Sequence, residues 1–125
     1  MKKKFLLSCI LCCIVVLLAF ILNLNNNQSV KQFSISEYKY EINYFSTNSK
    51  VCKITNANTA MIEAENLWVE MYGNEVKKNK PYSVSYDSNA KIWLVEGNSR
   101  NKDCGGVPYT LIKTNGKVLA IWHDK

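Results

Sequence analysis

The chain has a single histidine, His123, and after residue 13 it has only two cysteines, Cys52 and Cys104, with no Cys-x-x-Cys spacing between them. An ordinary zinc site needs four such ligands, so no metal is assigned. Convergent acid and base groups are also missing. The one arrangement that resembles a nucleophile with its base is the thiol in Asp103-Cys104-Gly105-Gly106 with His123, and such a pair is recognised only by geometry. The sequence therefore assigns no catalytic residue and no cofactor, and the chain reads as a non-enzyme. A basic nucleic-acid face is missing as well. Of the 16 Lys and Arg residues behind the net charge of +6, three are Lys2, Lys3 and Lys4, which leaves 13 against 10 Asp and Glu over the remainder. These are spread thinly, with no run denser than Lys77, Lys78 and Lys80, so no nucleic-acid partner is expected.

Charge is also absent from residues 5–24, FLLSCILCCIVVLLAFILNL, where Ser8 and Asn23 are the only polar interruptions. As a helix this run would cover about 30 Å, the thickness of a hydrocarbon core. A cleaved secretory signal has a shorter apolar core followed by two small residues at a fixed spacing. No second small residue is suitably placed after Ala19, which favours an uncleaved signal anchor over cleavage. Three lysines precede the run and none follows until Lys31, which orients the N-terminus to the cytoplasm and the remainder outside it. The expected organisation is a basic flank over 1–4, a single-pass anchor in the cytoplasmic membrane over 5–24, an Asn-rich tether over 25–36 and one domain over 37–125.

The domain begins with EYKYEINYF, whose even positions Tyr38, Tyr40, Ile42 and Tyr44 are apolar or aromatic; this alternation predicts a half-buried strand. Next, Ala57, Ala60, Met61, Ala64, Leu67, Trp68 and Met71 recur at helical spacing. Thr55 or Asn56 serves as a cap, and Gly73 takes the left-handed ending. Four strands follow over 82–87, 91–97, 107–114 and 117–123. The centre of KIWLVEG is apolar on both faces, and Asn115-Gly116 predicts a two-residue hairpin turn. The fold class is α+β: one amphipathic helix against one face of a curved antiparallel sheet of four to five strands, behind a transmembrane helix. Trp93 and Trp122 are expected to share the concave side. Gly105-Gly106 reads as a tight turn or bulge, and the side chain of His123 should point away from that of Trp122.

Tyr72-Gly73, Pro81-Tyr82, Trp93-x-Val95-x-Gly97, Gly105-Gly106-Val107-Pro108-Tyr109, Ile112-Lys113, Gly116-x-Val118-Leu119 and His123-x-Lys125 together resemble the bacterial NTF2-fold immunity proteins, over about residues 54–125. The resemblance implies a cystatin- or NTF2-like half-cone acting as antidote to a secreted toxin. The additional helices of the full NTF2 fold are not found in the sequence. The implied partner is a cognate toxin protein, with Arg100, Asp103, His123 and Lys125 as a candidate binding rim. An envelope module that binds a small ligand or peptide is the alternative. Cys52 and Cys104 lie in a compartment where they could be oxidised, and whether they form a disulfide is left open.

Overall fold

The computed structural model describes residues 2–25, 30–99 and 106–124, with the backbone alone at 2, 5 and 20–25. The first helix, α1, runs Lys2–Asn25. Among the described residues no helix is long and apolar enough to cross a membrane. The expected span over 5–24 thus has no support from the described residues.

Five strands form one open sheet in chain order: β1 (Lys31–Gln32), β2 (Ser83–Asp87), β3 (Ile92–Glu96), β4 (Val107–Lys113) and β5 (Val118–Asp124). From β2 to β5 the neighbours are antiparallel, whereas β1 runs parallel to β2 with Lys31 opposite Ser85. The sheet is therefore mixed, not purely antiparallel. Its extra strand comes from a segment too short and polar to announce itself.

Helix α3 (Ala57–Tyr72) starts at Asn56, whose Oδ1 accepts from Thr59 N at 2.8 Å. Ala60, Ala64 and Trp68 are fully buried on one side of it. The two alanines bring the helix close to the sheet, and Trp68 fills the space between them. The Trp68 indole N–H donates to Thr110 Oγ1 on β4 at 2.6 Å, and Tyr82 packs edge-on against the ring at 5.1 Å. Val84, Val95, Ile112, Val118 and Ile121 complete this core from the sheet side. Met71, assigned to the same stripe by spacing, is exposed at the last turn. Gly73 has φ 85 but ψ 178, so it ends the helix in an extended positive-φ conformation open to glycine, not the left-handed one expected.

The other face of the sheet is equally apolar. Ile92, Leu94, Leu111, Ala120 and Trp122 point there and are covered by Phe33, Ile35, Tyr38 and Ile42. The covering segment is helical: a 3₁₀ turn over Ile35–Tyr38 leads into α2 (Lys39–Tyr44). The strand expected over this segment does not form. Alternating positions also contain i, i+4 pairs, and the helix uses those, turning Tyr38 and Ile42 inward while Tyr40 and Tyr44 stack on each other outside at 4.4 Å. Trp93 packs with the α3 side and Trp122 with the α2 side, so the two tryptophans lie on opposite faces. The β4–β5 loop also departs from expectation. Gly116 N donates to Lys113 O and Lys113 N to Lys117 O, both at 2.8 Å, with positive φ at Gly116 and not at Asn115. That gives a three-residue loop over 114–116, and a bulge follows where Leu111 pairs Ala120 and Ile112 pairs Val118.

Asp87 joins the second layer to the sheet. Its Oδ2 accepts from Ile35 N at 2.8 Å, and its Oδ1 accepts from Asn89 N and Ala90 N, each at 3.0 Å. These backbone donors, Ala90 first and then Ile35, hold the carboxyl below the usual range. The ionised form is favoured by the fold, so its contribution should be complete above pH ~4, decline as pH falls and vanish below the folded-state value. Urea melts taken down a pH series should show wild type losing stability in that acid window, with Asp87→Asn lacking that component. In the core, Trp68→Phe should cost about 2–4 kcal/mol and Thr110→Val about 1–3 kcal/mol, because each leaves a buried polar partner unpaired. The double variant should cost less than the two together, as read by a double-mutant cycle of denaturant melts.

Candidate functional site

The residues gathered at the C-terminal end of α3 form a corner where four elements meet. Gly73 releases the chain from α3 into a 3₁₀ helix, Asn74–Asn79, which lies beside the end of β3 and the start of β4. Its last residue, Asn79, is almost fully buried. Asn79 O accepts from Asn98 N at 2.6 Å, and its side-chain amide donates to Asn98 O at 3.2 Å and, at 3.5 Å, to Gly106 O. Gly97 is required here because a Cβ would lie 2.7 Å from Pro108 Cδ and 2.9 Å from Asn79 Cβ.

Gly106 opens β4 with φ +119, and a Cβ on it would fall 1.7 Å from Asp124 O and 3.3 Å from His123 Nδ1. Only glycine permits the start of β4 to lie this close to the end of β5. His123 therefore projects from an exposed strand end onto the α3 side, where its ring meets Tyr72 edge-on at 5.2 Å. Tyr72, Glu75, Val76, Asn79, Gly106, Pro108 and His123 enclose a cavity of about 230 Å³. Burial raises the Tyr72 hydroxyl above its ordinary pKa, so the phenol remains a hydrogen-bond donor at neutral pH. Behind this corner, on the α2 face, Tyr109 stacks on Trp122 at 5.2 Å. Burial first, and then the bond to Asp124, push the Tyr109 hydroxyl up to about 12.

A second polar cluster lies at the start of β2. Tyr82 donates its hydroxyl to Glu65 Oε2 at 2.6 Å, and Lys80 Nζ reaches the same oxygen at 3.0 Å. The hydrogen bond from Tyr82 is the leading cause of the lowered Glu65 pKa. In turn, burial first and the bond to Glu65 second raise Tyr82. The peptide bond between Lys80 and Pro81 is cis. Trp93 stacks on Tyr86 at 4.4 Å, on the cross-strand pair of β2 and β3.

Of the expected rim, His123 is in the corner, and Arg100, Asp103 and Lys125 lie outside the described residues, as do Gly105 and Cys104. Any approach of the Cys104 thiol to His123 or to Cys52 thus lies outside the described residues as well. Cys52 is a free, exposed thiol. Its carbonyl lies beside Gly116, at the end of β4 remote from Gly106. Among the described residues no group of three or more His, Cys, Asp or Glu is placed to hold a metal ion. Sequence reading missed the 3₁₀ helix, Asn79 and the contact between Tyr72 and His123. The short polar run after Gly73, NEVKKNK, carries no periodicity, and a ring contact spanning half the domain leaves no local signal.

The close approach at Gly106 makes a sharp test of how this corner is built. Gly106→Ala should cost at least about 1–3 kcal/mol from the backbone conformation alone, before the clash with Asp124 O is counted. It should also separate Tyr72 from His123, seen as a change in the His123 ring resonances, whereas Gly73→Ala meets no atom within 4 Å and should cost less.

No curated protein and no solved structure matches the chain. The family model described as NTF2 fold immunity protein matches residues 59–125. That span takes in α3 from Thr59 onward, the Asn79 corner, strands β2 to β5 and His123. It is more than half of the sequence, and on it the chain belongs to the NTF2 fold immunity protein family.

Proposed function

We propose that the chain neutralises its toxin by direct binding, without catalysis, from the outer side of the cytoplasmic membrane. Membership of an immunity-protein family gives the general role, protection against a toxin, and makes a toxin the partner. The observation that carries the binding reading is the filled interior. Trp68 occupies the space between α3 and the sheet and is bonded there to Thr110, which leaves the outer surface as the place to meet a partner.

The alternative, an envelope module for a small ligand, has weaker support. The cavity beside His123 is about 230 Å³, below the ~300–1000 Å³ of drug-sized ligand sites. The larger hollows of about 470 and 510 Å³ are open grooves along α3. The proposed contact is the corner at His123, extended by Arg100, Asp103 and Lys125. Arginine and aromatic groups dominate protein hot spots, and Tyr72 supplies the aromatic.

The membrane location rests on the sequence of residues 5–24 and the lysines before it. In this reading residues 1–4 stay in the cytoplasm, 5–24 form the anchor, and the external domain ends at 125; the tether expected over 25–36 is shortened, because β1 at Lys31–Gln32 already belongs to the sheet and Phe33 and Ile35 to its cover.

The test is survival of cells expressing a candidate toxin, with and without the chain. Wild type should protect. His123→Ala and Arg100→Ala should each weaken toxin binding by about 30-fold if they are hot spots, with folding verified by thermal melting. Survival that is indifferent to the chain removes the reading. Protease added to spheroplasts should digest the domain; protection until the membrane is opened would place the domain inside.

A further inference from the structure

The lysines that look scattered in the sequence are gathered by the fold. Lys50, Lys91, Lys113 and Lys117 come from three separate loops and strand ends, and all four meet at the end of the sheet remote from His123. Lys50 and Lys117 are partners in an isolated antiparallel bridge, and Lys117 O accepts from Lys113 N at 2.8 Å. Lys91 O accepts from the backbone N–H and the hydroxyl of Thr114 at 3.0 and 3.1 Å. Lys53 joins them, since the next residue, Ile54, donates its N–H to Thr114 O at 3.0 Å. Four of the five are exposed and Lys113 is half-buried.

These charges are not answered from within. Among the described residues the ion pairs are Lys78 with Glu75 and Lys80 with Glu65, neither of them at this end. The carboxylate of the β2–β3 turn, Asp87, is buried and occupied by three backbone N–H groups. Glu63 and Glu70 of α3 border a groove beside Lys50 but make no ion pair with it.

The backbone adds a second, independent sign. Lys91 has φ 56, the one positive-φ residue other than glycine among those described. Asn or Gly would take that conformation at less cost. Strain kept at a position where a cheaper residue would serve the turn points to a use for the side chain, and here the side chain adds a charge to the cluster.

We propose that this lysine end is a docking surface for an acidic face of the toxin, acting mainly by steering association. The proposal rests on the binding reading above. A protein partner fits better than nucleic acid because the aromatic rings nearest the lysines, Trp93 and Tyr86, are stacked on each other, and the family supplies a toxin. Unpaired lysines of one sign on an exposed face raise the rate of encounter with a complementary surface, in a way that salt screens.

The experiment measures association and dissociation of an inactivated form of the toxin that wild type suppresses, across a salt series. The triple variant Lys50→Gln, Lys113→Gln, Lys117→Gln should associate about 10-fold more slowly at low salt, with a shallower salt dependence and a nearly unchanged dissociation rate. Lys91→Asn should also slow association while its melting temperature holds or rises, which separates the charge from the fold. Lys39→Gln, exposed on α2, is the control and should behave as wild type. A folded triple variant with wild-type rates and salt dependence overturns the surface alone, whereas a wild-type chain that binds no toxin overturns the binding reading and the surface with it. Loss of retention of a DNA duplex of about 20 base pairs at ~0.15 M salt, with toxin rates unmoved, would reassign the surface to nucleic acid and overturn the proposal.

Discussion

The bond from the Trp68 indole to Thr110 Oγ1 sets the position of α3, and much else follows from that position. Both side chains are out of water, so each needs the other: an indole N–H or a hydroxyl left unpaired there would bear its full desolvation cost. Hydrophobic burial alone would let the helix slide along a greasy sheet. The hydrogen bond fixes its register, and Ala60 and Ala64 let it come close enough for the bond to form. With α3 fixed, Tyr72 at its last turn is carried to the end of β5, where His123 meets it edge-on. Glu65, on the same helix, is carried to Tyr82 and Lys80.

The helix and the four longer strands were legible because their periodicities point to one core each. The apolar stripe of α3 departs from its spacing only at Met71, which is exposed in the last turn of the helix. The second layer was harder to see, though it left a trace: KIWLVEG is apolar on both faces at its centre, which is the pattern of a strand covered on both sides. The reading followed one covering helix and left the other face bare. The alternation of Tyr38, Tyr40, Ile42 and Tyr44 fits a strand as well as a helix, because period two and the i, i+4 spacing of a helix share every second pair. The deciding factor was tertiary, the need to cover Leu94, Leu111 and Trp122. The loop at 114–116 shows a similar limit. Asn-Gly favours positive φ at both positions, but the hydrogen bonds from Gly116 to Lys113 and from Lys113 to Lys117 need it only at the glycine.

Less of the candidate site could be read than of the fold. His123 was singled out, and its opposition to Trp122 follows from strand alternation. Its partner Tyr72 was visible only as part of a family motif, and Asn79 had no signal, because a buried asparagine is identified by the carbonyls it serves and those come from Asn98 and Gly106, both later in the chain. The lysine end is the extreme case. Linear charge counting found only the run at Lys77, Lys78 and Lys80, two of which the fold pairs with carboxylates, while the lysines that the fold brings together are single residues in sequence.

The two ends of the sheet consequently differ in how they are made. At the His123 end the backbone strands approach so closely that glycine is obligatory at 97 and 106, the Asn79 amide ties the carbonyls of Asn98 and Gly106 together, and the Tyr72 ring meets that of His123. Such a corner is rigid, with the geometry that a short-range contact requires, since a preorganised surface loses little freedom on binding. At the other end, flexible lysine side chains stand on turns whose backbone is secured by Thr114 and Gly116. Long, mobile cations contribute little to a fixed contact but act at a distance of about a Debye length, ~10 Å, where fit does not yet matter. Attraction at range and fit at contact make opposite demands on side-chain mobility, and a small domain with a filled interior can meet both only by placing them at different ends.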